Sequence, residues 1–306
     1  MTGILDDRAN LAGKTAVLLG GGGGIGSAVS LALAEAGVDL LIADLDASSL
    51  AQTIDRARSV GVVADGRVLD ATAPAELDAF FDWVGSMTSR LDILVNIVGG
   101  TRRQSMLDAS PEDDARAIQR NYGYVIQSIR RAVPLMRKGG GGGSIVNFTT
   151  IEAHRGAAGF AVYAGAKAAT TNFTRSLAVE LGPERIRLNC LAPDTTPSQG
   201  NIDALPPEIR AAMAGVPPEA RSKGLDMYIP LKSAPTAIAL ANSVLFLASD
   251  LSAFVTGQTL HVDGGTWAAS GFLDWPFGDG FLPVPMAGTL RRLYGGADET
   301  GDGRAP

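Results

Sequence analysis

Cysteine is nearly missing from this 306-residue chain, which contains only Cys190. A single cysteine excludes an internal disulfide. The N-terminus also lacks a basic start and an apolar run, so we expect a cytoplasmic protein. Cys190 lies within an apolar stretch and is predicted to be a buried small hydrophobe, not a nucleophile. Only two histidines occur, His154 and His261. Without clustered carboxylates or thiols, they predict no metal site.

Positive charge and long apolar runs are also scarce. The chain has 26 Lys and Arg against 32 Asp and Glu, a formal net charge of −6, and its basic residues are scattered. This balance argues against nucleic acid or an anionic membrane surface as the partner. No apolar stretch reaches the roughly 20 residues that span a bilayer. We therefore expect the partner to be a small-molecule substrate.

Short aliphatic runs alternate with longer helical patterns along most of the chain. Helices are predicted near 25–37, 47–60, 74–88, 110–138, 160–182 and 236–249. Strands are predicted near 14–19, 39–44, 62–69, 92–97, 144–150, 185–191 and 257–262. Continuous apolar strands that alternate with helices indicate a parallel sheet covered on both faces. The predicted fold is α/β, a single doubly wound (Rossmann) domain with a seven-stranded parallel sheet.

Two stretches interrupt this alternation. Residues 194–232 are rich in proline and show little periodicity, and long connections of this kind are usually lids or binding loops. Residues 266–306 are rich in glycine, proline and aromatics. We predict a dinucleotide-binding catalytic domain over 1–265, which includes a substrate loop at 194–232, and a C-terminal extension over 266–306.

Five glycines at 20–24, followed by Ile25 and Gly26, lie between the first predicted strand and the helix after it. Such glycines allow a tight turn and let the backbone approach a pyrophosphate at the helix N-terminus. The second strand ends at Asp44, whose carboxylate can accept hydrogen bonds from ribose hydroxyls and would repel a 2′-phosphate. Leu45 follows, where a basic residue would have offset that repulsion. The pattern predicts NAD over NADP.

The strongest catalytic signal is a tyrosine and a lysine four positions apart, Tyr163 and Lys167. On a helix the two side chains lie on one face. A nearby ammonium lowers the tyrosine pKa from about 10, which would give a general acid/base. Tyr228 and Lys232 have the same spacing, but Pro230 lies between them and blocks a regular helix.

Residues 11–265 resemble the short-chain dehydrogenase/reductase family. The resemblance rests on the glycine turn, with Leu19 where the family has threonine, and on Tyr163 and Lys167. It is completed by the closing Thr256-Gly257-Gln258 and Asp263-Gly264-Gly265. The enoyl reductases of the family have a longer Tyr–Lys spacing and fit this chain less well.

The resemblance implies a catalytic set of Asn121, Thr150, Tyr163 and Lys167. Tyr163 would exchange a proton with the substrate oxygen, and Thr150, where the family has serine, would hydrogen-bond the same oxygen. Lys167 would lower the pKa of Tyr163 and bind the nicotinamide ribose. Asn121 would hold a water in a proton relay. The NAD site is expected at Gly20, Gly24, Ile25, Gly26, Asp44, Leu45, Asp70, Asn96, Val98, Gly99, Tyr163, Lys167, Pro193, Thr196 and Ser198.

Several departures from the family pattern bear on the site. Thr150 keeps a hydroxyl but has a stiffer side chain than serine. Asp194 replaces a glycine, and its carboxylate would contact the substrate or face solvent; the sequence leaves both open. His154 would likewise contact substrate or lie at the surface. The residues expected to bind substrate are Thr150, Glu152, His154, Asp194 and Met227.

Two functions fit these features. One is an NAD(H)-dependent oxidoreductase, a short-chain alcohol dehydrogenase or ketoreductase, that interconverts a secondary alcohol and a ketone on a lipophilic or cyclic substrate. Apolar residues of the loop and aromatic residues of the extension favour such a substrate. The alternative is a dinucleotide-binding homologue with weak or no activity. The resemblance also implies a homotetramer or homodimer.

Overall fold

A computed structural model describes residues 3–101, 103–140, 142–194, 196, 207–276, 280–286, 289 and 292. Seven strands form one sheet in the order β3-β2-β1-β4-β5-β6-β7, and every neighbouring pair is parallel. Their bounds are β1 Thr15–Leu19, β2 Asp39–Asp44, β3 Ala64–Val68, β4 Ile93–Asn96, β5 Gly143–Phe148, β6 Ile186–Pro193 and β7 Thr259–Val262. The predicted seven-stranded parallel sheet is confirmed.

Helices cover both faces of this sheet. In the described part of the chain they are α1 Ile4–Ala9, α2 Gly24–Glu35, α3 Ala47–Ser59, α4 Pro74–Met87, α5 Pro111–Ile118, α6 Tyr124–Lys138, α7 Ala161–Leu181, α8 Pro207–Ala214, α9 Pro218–Tyr228, α10 Ala237–Ala248 and α11 Thr266–Ala269. Helices α4, α6 and α7 pack on one face, and α2, α3 and α10 on the other. Each face of the sheet has its own hydrophobic core. Side chains alternate along β1, so Val17 and Leu19 pack in one core and Leu18 packs in the other.

The segment predicted as one helix over 110–138 is divided in the structure. Helix α5 gives way to a π-helical turn, Gln119–Gly123, before α6 begins. Asn121 lies inside this turn, and the Thr170 hydroxyl donates to its backbone carbonyl at 3.0 Å. An extra residue in one turn does not change the hydrophobic pattern enough to be visible in the sequence. Such π turns often occur at functional sites.

The loop 194–232 is more regular than its sequence predicts. Its described part folds into α8 and α9, both of which begin at a proline, a favoured residue at the start of a helix. In the extension, β8 Leu273–Trp275 and β9 Gly280–Leu282 form an antiparallel hairpin, and the Trp275 indole donates to the Leu282 carbonyl at 2.9 Å. The division of the chain at residue 265 stays a prediction. No helix in the described ranges combines the length and apolarity that crossing a membrane requires.

Candidate active site

The glycine turn after β1 has no room for side chains. A Cβ on Gly26 would lie 1.8 Å from the Gly20 carbonyl oxygen, and Gly20 itself has a φ of +85°. The Ser30 and Thr53 hydroxyls donate to the carbonyls of Gly21 and Gly22 at 2.8 and 2.7 Å, and these bonds hold the turn in place. Bare backbone therefore faces outward at the N-terminus of α2, an arrangement that fits the pyrophosphate of a dinucleotide.

Asp44, at the end of β2, is tied to the same turn. Its Oδ2 accepts from the backbone N–H of Gly22 at 2.7 Å, and its Oδ1 accepts from the N–H of Asp46 at 3.1 Å. The next side chain, Leu45, is 72 % exposed. Each carboxylate oxygen keeps a further lone pair that can accept from a ribose hydroxyl, and no cation stands at position 45.

Other residues predicted to bind the cofactor lie at the ends of β3 and β4. Asp70 accepts from the backbone N–H and the hydroxyl of Thr72 at 2.8 and 2.7 Å, so it also shapes its own turn. Val98 approaches the glycine turn, since a Cβ on Gly20 would lie 3.0 Å from its Cγ2.

Asn96 is turned away from this surface. Its fully buried side chain donates to Asn147 at 2.8 Å and accepts from Ser128 at 2.9 Å. A buried amide must satisfy its hydrogen bonds, and here the partners lie inside the protein. Asn96 thus joins β4 to its neighbours, and its side chain does not line the cleft.

Lys167 and Asn121 meet at Gly99. A Cβ on Gly99 would lie 2.8 Å from Lys167 Nζ and 3.0 Å from Asn121 Oδ1. Lys167 is buried, and its Nζ donates to the Phe148 carbonyl at 2.8 Å. The Asn121 amide donates to the carbonyls of Gly100 and Ala117 at 3.0 and 2.9 Å. The structure places these two side chains on either side of Gly99, and their catalytic roles stay a prediction.

Thr150 and Tyr163 complete the set. Thr150 is buried where β5 gives way to a short turn, and its hydroxyl donates to the Glu152 carboxylate. Tyr163 lies in the first turn of α7, one turn before Lys167. Burial raises the pKa of Tyr163 to about 12, although the neighbouring Thr150 hydroxyl acts in the opposite direction.

The pKa of Tyr163 is raised and not lowered, contrary to the expected effect of the nearby lysine. Burial dominates at both residues: it raises the pKa of Tyr163 and lowers the pKa of Lys167 to about 8. Removal from water penalises whichever form is charged, so a buried phenol keeps its proton and a buried ammonium releases one more readily. Tyr163 is therefore protonated at neutral pH.

Beside Thr150 lies a set of polar contacts that the sequence did not predict. Arg155 Nη2 donates to Glu152 at 2.9 Å and to the Tyr228 hydroxyl at 2.6 Å. Tyr228 in turn donates to Asp194 at 2.6 Å. The sequence predicts no role for Arg155, and the Tyr228–Lys232 spacing is discounted because Pro230 lies between the two residues. No sequence signal links residues so far apart.

The remaining predicted residues are distributed around this end of the sheet. Pro193 ends β6, and the Thr196 hydroxyl donates to the Asp194 carbonyl at 3.0 Å. Met227 is half-buried on α9. Ser198 lies outside the described residues. Asp194 faces the protein interior and not solvent, since its side chain is 3 % exposed.

The two histidines, distant in sequence, are neighbours in space. Their ring centroids lie 4.7 Å apart, and His261 stacks on Trp267 at 5.4 Å. His154 is thus half-buried and packs against His261 of β7. The described residues contain no group of three or more His, Cys, Asp or Glu side chains suited to a metal. Cys190 is fully buried, and burial raises its pKa to about 11, as expected for a structural thiol.

Tyr163 borders a cavity of about 290 Å³. The segment after β4, the start of α5 and the turn before α7 line this cavity, through Gly100, Thr101, Gln104, Ser105, Met106, Ala109, Asp113, Asp114, Arg116, Ala117, Arg120 and 159–163. Its walls are of mixed polarity, and none of these residues belongs to the loop 194–232.

The chain is similar to known oxidoreductases over most of its length. It is 35% identical over 280 residues to an uncharacterized oxidoreductase of Mycobacterium tuberculosis, covering 91% of this chain and 98% of that protein. It is 30% identical over 259 residues to 7α-hydroxysteroid dehydrogenase of Escherichia coli, covering 85% and 96%.

Solved structures agree with this likeness. A 7α-hydroxysteroid dehydrogenase in complex with NADH and 7-oxo glycochenodeoxycholic acid matches with a TM-score of 0.76 and 30% identity, covering 87% and 98% of the two chains. Carveol dehydrogenase from Mycobacterium avium in complex with NAD gives 0.77 and 27%, covering 84% and 98%. A 3-oxoacyl (acyl-carrier-protein) reductase from Agrobacterium tumefaciens with NADP bound gives 0.76 and 26%, covering 85% and 96%.

A family model described as enoyl-(acyl carrier protein) reductase matches residues 21–266. The relatives, the solved structures and the parallel sheet agree with the wider family to which this model belongs, whereas the four-residue Tyr–Lys spacing is shorter than that of enoyl reductases. Nicotinamide dinucleotides occur in the structural neighbours, in both the NAD and the NADP form. The chain belongs to the short-chain dehydrogenase/reductase family of oxidoreductases.

Proposed function

We propose that this protein is an NAD(H)-dependent oxidoreductase that interconverts a secondary alcohol and a ketone. The observation that carries the proposal is the grouping of Tyr163, which borders a cavity, with the Thr150 hydroxyl and the buried Lys167. A proton donor, a hydroxyl that orients it and a buried cation at one position suit proton exchange with a carbonyl oxygen.

Each residue has a separate task in this proposal. Tyr163, protonated at neutral pH, donates a proton to a ketone oxygen, and its deprotonated form accepts one from an alcohol. Thr150 hydrogen-bonds the same oxygen. Lys167 binds the nicotinamide ribose and, with Asn121, returns protons to the site. The bound dinucleotide supplies the hydride chemistry.

NAD is favoured over NADP by the end of β2. The half-buried Asp44 carboxylate lies within 2.7 Å of the glycine turn, where a 2′-phosphate would meet like charge. The neighbouring positions do not offset this charge, because Leu45 is apolar and exposed and Asp46 is acidic. Repulsion between two nearby anions disfavours NADP.

A lipophilic or cyclic substrate is favoured by apolar side chains of the loop, such as the half-buried Leu225 and Met227, which lie outside the cavity that Tyr163 borders. Two structural neighbours, a hydroxysteroid dehydrogenase and carveol dehydrogenase, make such a substrate reasonable. The exposed Val179 and Phe254 support a homotetramer or homodimer. A single, buried Cys190 supports a cytoplasmic setting.

The test is an NADH absorbance assay over a panel of cyclic, aromatic and short-chain secondary alcohols, run with NAD and NADP in parallel. We expect turnover with NAD on at least one bulky alcohol and higher kcat/KM with NAD than with NADP. NAD binding without turnover on any panel member or the matching ketones would instead support a binding homologue. Equal or better use of NADP would refute the assignment of Asp44.

A further inference from the structure

A continuous polar path runs from the catalytic threonine to the loop 194–232. Thr150 donates to one oxygen of the Glu152 carboxylate, and Arg155 donates to the other at 2.9 Å. The same Arg155 nitrogen donates to the Tyr228 hydroxyl at 2.6 Å, and Tyr228 donates to Asp194 at 2.6 Å. We call these four residues after Thr150 the threonine network.

The network joins three separate segments. Glu152 and Arg155 follow β5, Asp194 directly follows β6, and Tyr228 is the last residue of α9. Parallel strands end at the same edge of the sheet, which is why the first two segments meet. Helix α9 contributes its C-terminal tyrosine to this edge, and the Tyr228 hydroxyl connects α9 to Arg155 and Asp194, which also form an ion pair at 3.8 Å.

The network contains two carboxylates and one guanidinium, and these charges are largely shielded from water. The side chains of Asp194, Glu152 and Arg155 are 3, 18 and 31 % exposed. Burial lowers the pKa of Arg155, but hydrogen bonds to Glu152 and Tyr228 outweigh it and raise the pKa. Burial and the bond to Asp194 raise the pKa of Tyr228 to about 12. All donors therefore keep their protons at neutral pH, and removal of one partner would leave a buried charge unpaired.

Thr150 is the position at which this connection matters for chemistry. Its hydroxyl has one proton, which Glu152 accepts in this structure, so the proton must turn from Glu152 to the substrate oxygen for the proposed reaction. Arg155, which donates to the other Glu152 oxygen, weakens the hold of Glu152 on that proton. Tyr228 and Asp194 hold Arg155 in place beside Glu152. A change at either residue leaves Arg155 less firmly placed, so Glu152 is neutralised less well and releases the Thr150 proton less readily.

We propose that Asp194 and Tyr228 are positioning residues, which act through Arg155 and Glu152 to set the orientation of Thr150 and to tie it to helix α9. This assignment gives Asp194, which stands where the family has glycine, a role in the reaction geometry of the function proposed above, on which it rests. Neither residue needs to touch the substrate.

The same loop offers a matched control. Lys232, four residues after Tyr228, forms an ion pair with Asp274 on the hairpin of the extension, and the two side chains are 41 and 30 % exposed. Such half-exposed pairs contribute little, and among the described residues the side-chain contacts of Lys232 go to Asp226, Asp274 and Phe281, not to the threonine network. Asp274→Asn therefore removes a carboxylate contact of the loop without altering the threonine network.

Steady-state kinetics of the full-length protein test the positioning role. Tyr228→Phe and Asp194→Asn are expected to lower kcat about tenfold with little change in KM for NAD, as expected when an interaction made in the transition state is lost. Asp274→Asn should keep wild-type kcat. Glu152→Gln removes the charge that competes for the Thr150 proton, so adding Tyr228→Phe to it should cost less than in the wild type, because both changes act on one path. Equal losses in all single variants, or no loss in Tyr228→Phe, would overturn the proposal.

A second readout does not depend on turnover. Hydrogen–deuterium exchange over residues 218–228 should be faster in Glu152→Gln than in the wild type, although residue 152 lies in a different segment. Asp274→Asn, which removes the Lys232–Asp274 ion pair, shows how much exchange in this loop changes when a direct contact is lost. Unchanged exchange in Glu152→Gln would contradict the coupling. Were the wild type inactive on every alcohol and ketone, the proposed function would fail, and this exchange measurement alone would decide for or against the network.

Discussion

The nucleotide end and the substrate end of this protein are built in different ways. Around β1, α2 and β2 the structure depends on backbone contacts, because Gly26 approaches Gly20 so closely that no Cβ fits. Around Thr150 it depends on side-chain charges from three segments, linked through Arg155 and Tyr228. The first construction tolerates almost no added volume; the second is sensitive to the loss of a single polar atom.

This difference explains why one end follows a pattern shared with many proteins and the other does not. Backbone close packing requires glycine at fixed positions, so it leaves a recognisable spacing. A polar path can be assembled from many combinations of residues, and here Asp194 takes the place of a glycine. The two ends should therefore respond differently to substitution.

Tyr163→Phe is expected to have the largest effect, at the substrate end. Loss of the hydroxyl removes the proposed proton donor while the ring still fills its space. Turnover should fall by about 10²- to 10⁴-fold, with NAD affinity nearly unchanged. Stopped-flow or steady-state NADH absorbance, together with fluorescence titration of NADH binding, measures both quantities. Persistent turnover would show that another group transfers the proton.

The pH dependence should differ between the two directions of reaction. With a pKa of about 12, Tyr163 is protonated at neutral pH, and its deprotonated fraction grows about tenfold for each pH unit below that value. Alcohol oxidation, which needs the deprotonated form, should accelerate as pH rises. Ketone reduction, which needs the protonated form, should not. Profiles of kcat/KM in both directions, from about pH 6 to about pH 9, check this sign, and an oxidation rate that falls with pH would contradict it.

Gly26→Ala tests close packing at the nucleotide end. The added Cβ would overlap the Gly20 carbonyl oxygen at 1.8 Å, and overpacking of this kind costs about 1–3 kcal/mol. NAD affinity should fall about five- to hundredfold, measured by isothermal titration calorimetry.

Gly224→Ala is the matched control on the loop. Gly224 lies inside α9, and a Cβ there would meet nothing within 4 Å. Alanine is the better helix former, so stability should rise slightly, by up to about 1 kcal/mol, with unchanged NAD affinity. If both alanine variants bound NAD like the wild type, the glycine turn would not be the cofactor cradle.

Leu45→Arg should have the smallest effect and a specific direction. The position is exposed and adjoins Asp44, so a guanidinium there would partly offset the carboxylate. Exposed charge pairs contribute about 0.2–1 kcal/mol, which predicts a gain in NADP affinity of up to about fivefold. Leu45→Gln serves as the uncharged control. A gain of the same size with glutamine would show that charge at this position does not select the cofactor.

The sequence was sufficient for the sheet, the glycine turn and the Tyr163–Lys167 helix, because each follows from local periodicity or spacing. It did not predict the π turn around Asn121, where one extra residue leaves the apolar pattern unchanged. The sequence predicts Asn96 as a cofactor ligand, whereas its side chain forms hydrogen bonds with Asn147 and Ser128 inside the protein.

Long-range contacts were the main limit. The pairing of His154 with His261 and the path from Thr150 to Asp194 join residues that only the folded chain brings together. The pKa of Tyr163 was misjudged for a related reason: the spacing to Lys167 is visible in the sequence, but the burial that dominates both groups is not.

The most direct test of the account is a crystal structure of the protein with NAD and an alcohol selected from the panel. We predict that the alcohol oxygen lies within hydrogen-bond distance of both the Tyr163 and the Thr150 hydroxyls, with the adenosine ribose bound to Asp44. A substrate oxygen that contacts neither hydroxyl, with the alcohol bound away from Tyr163, would contradict the proposed chemistry.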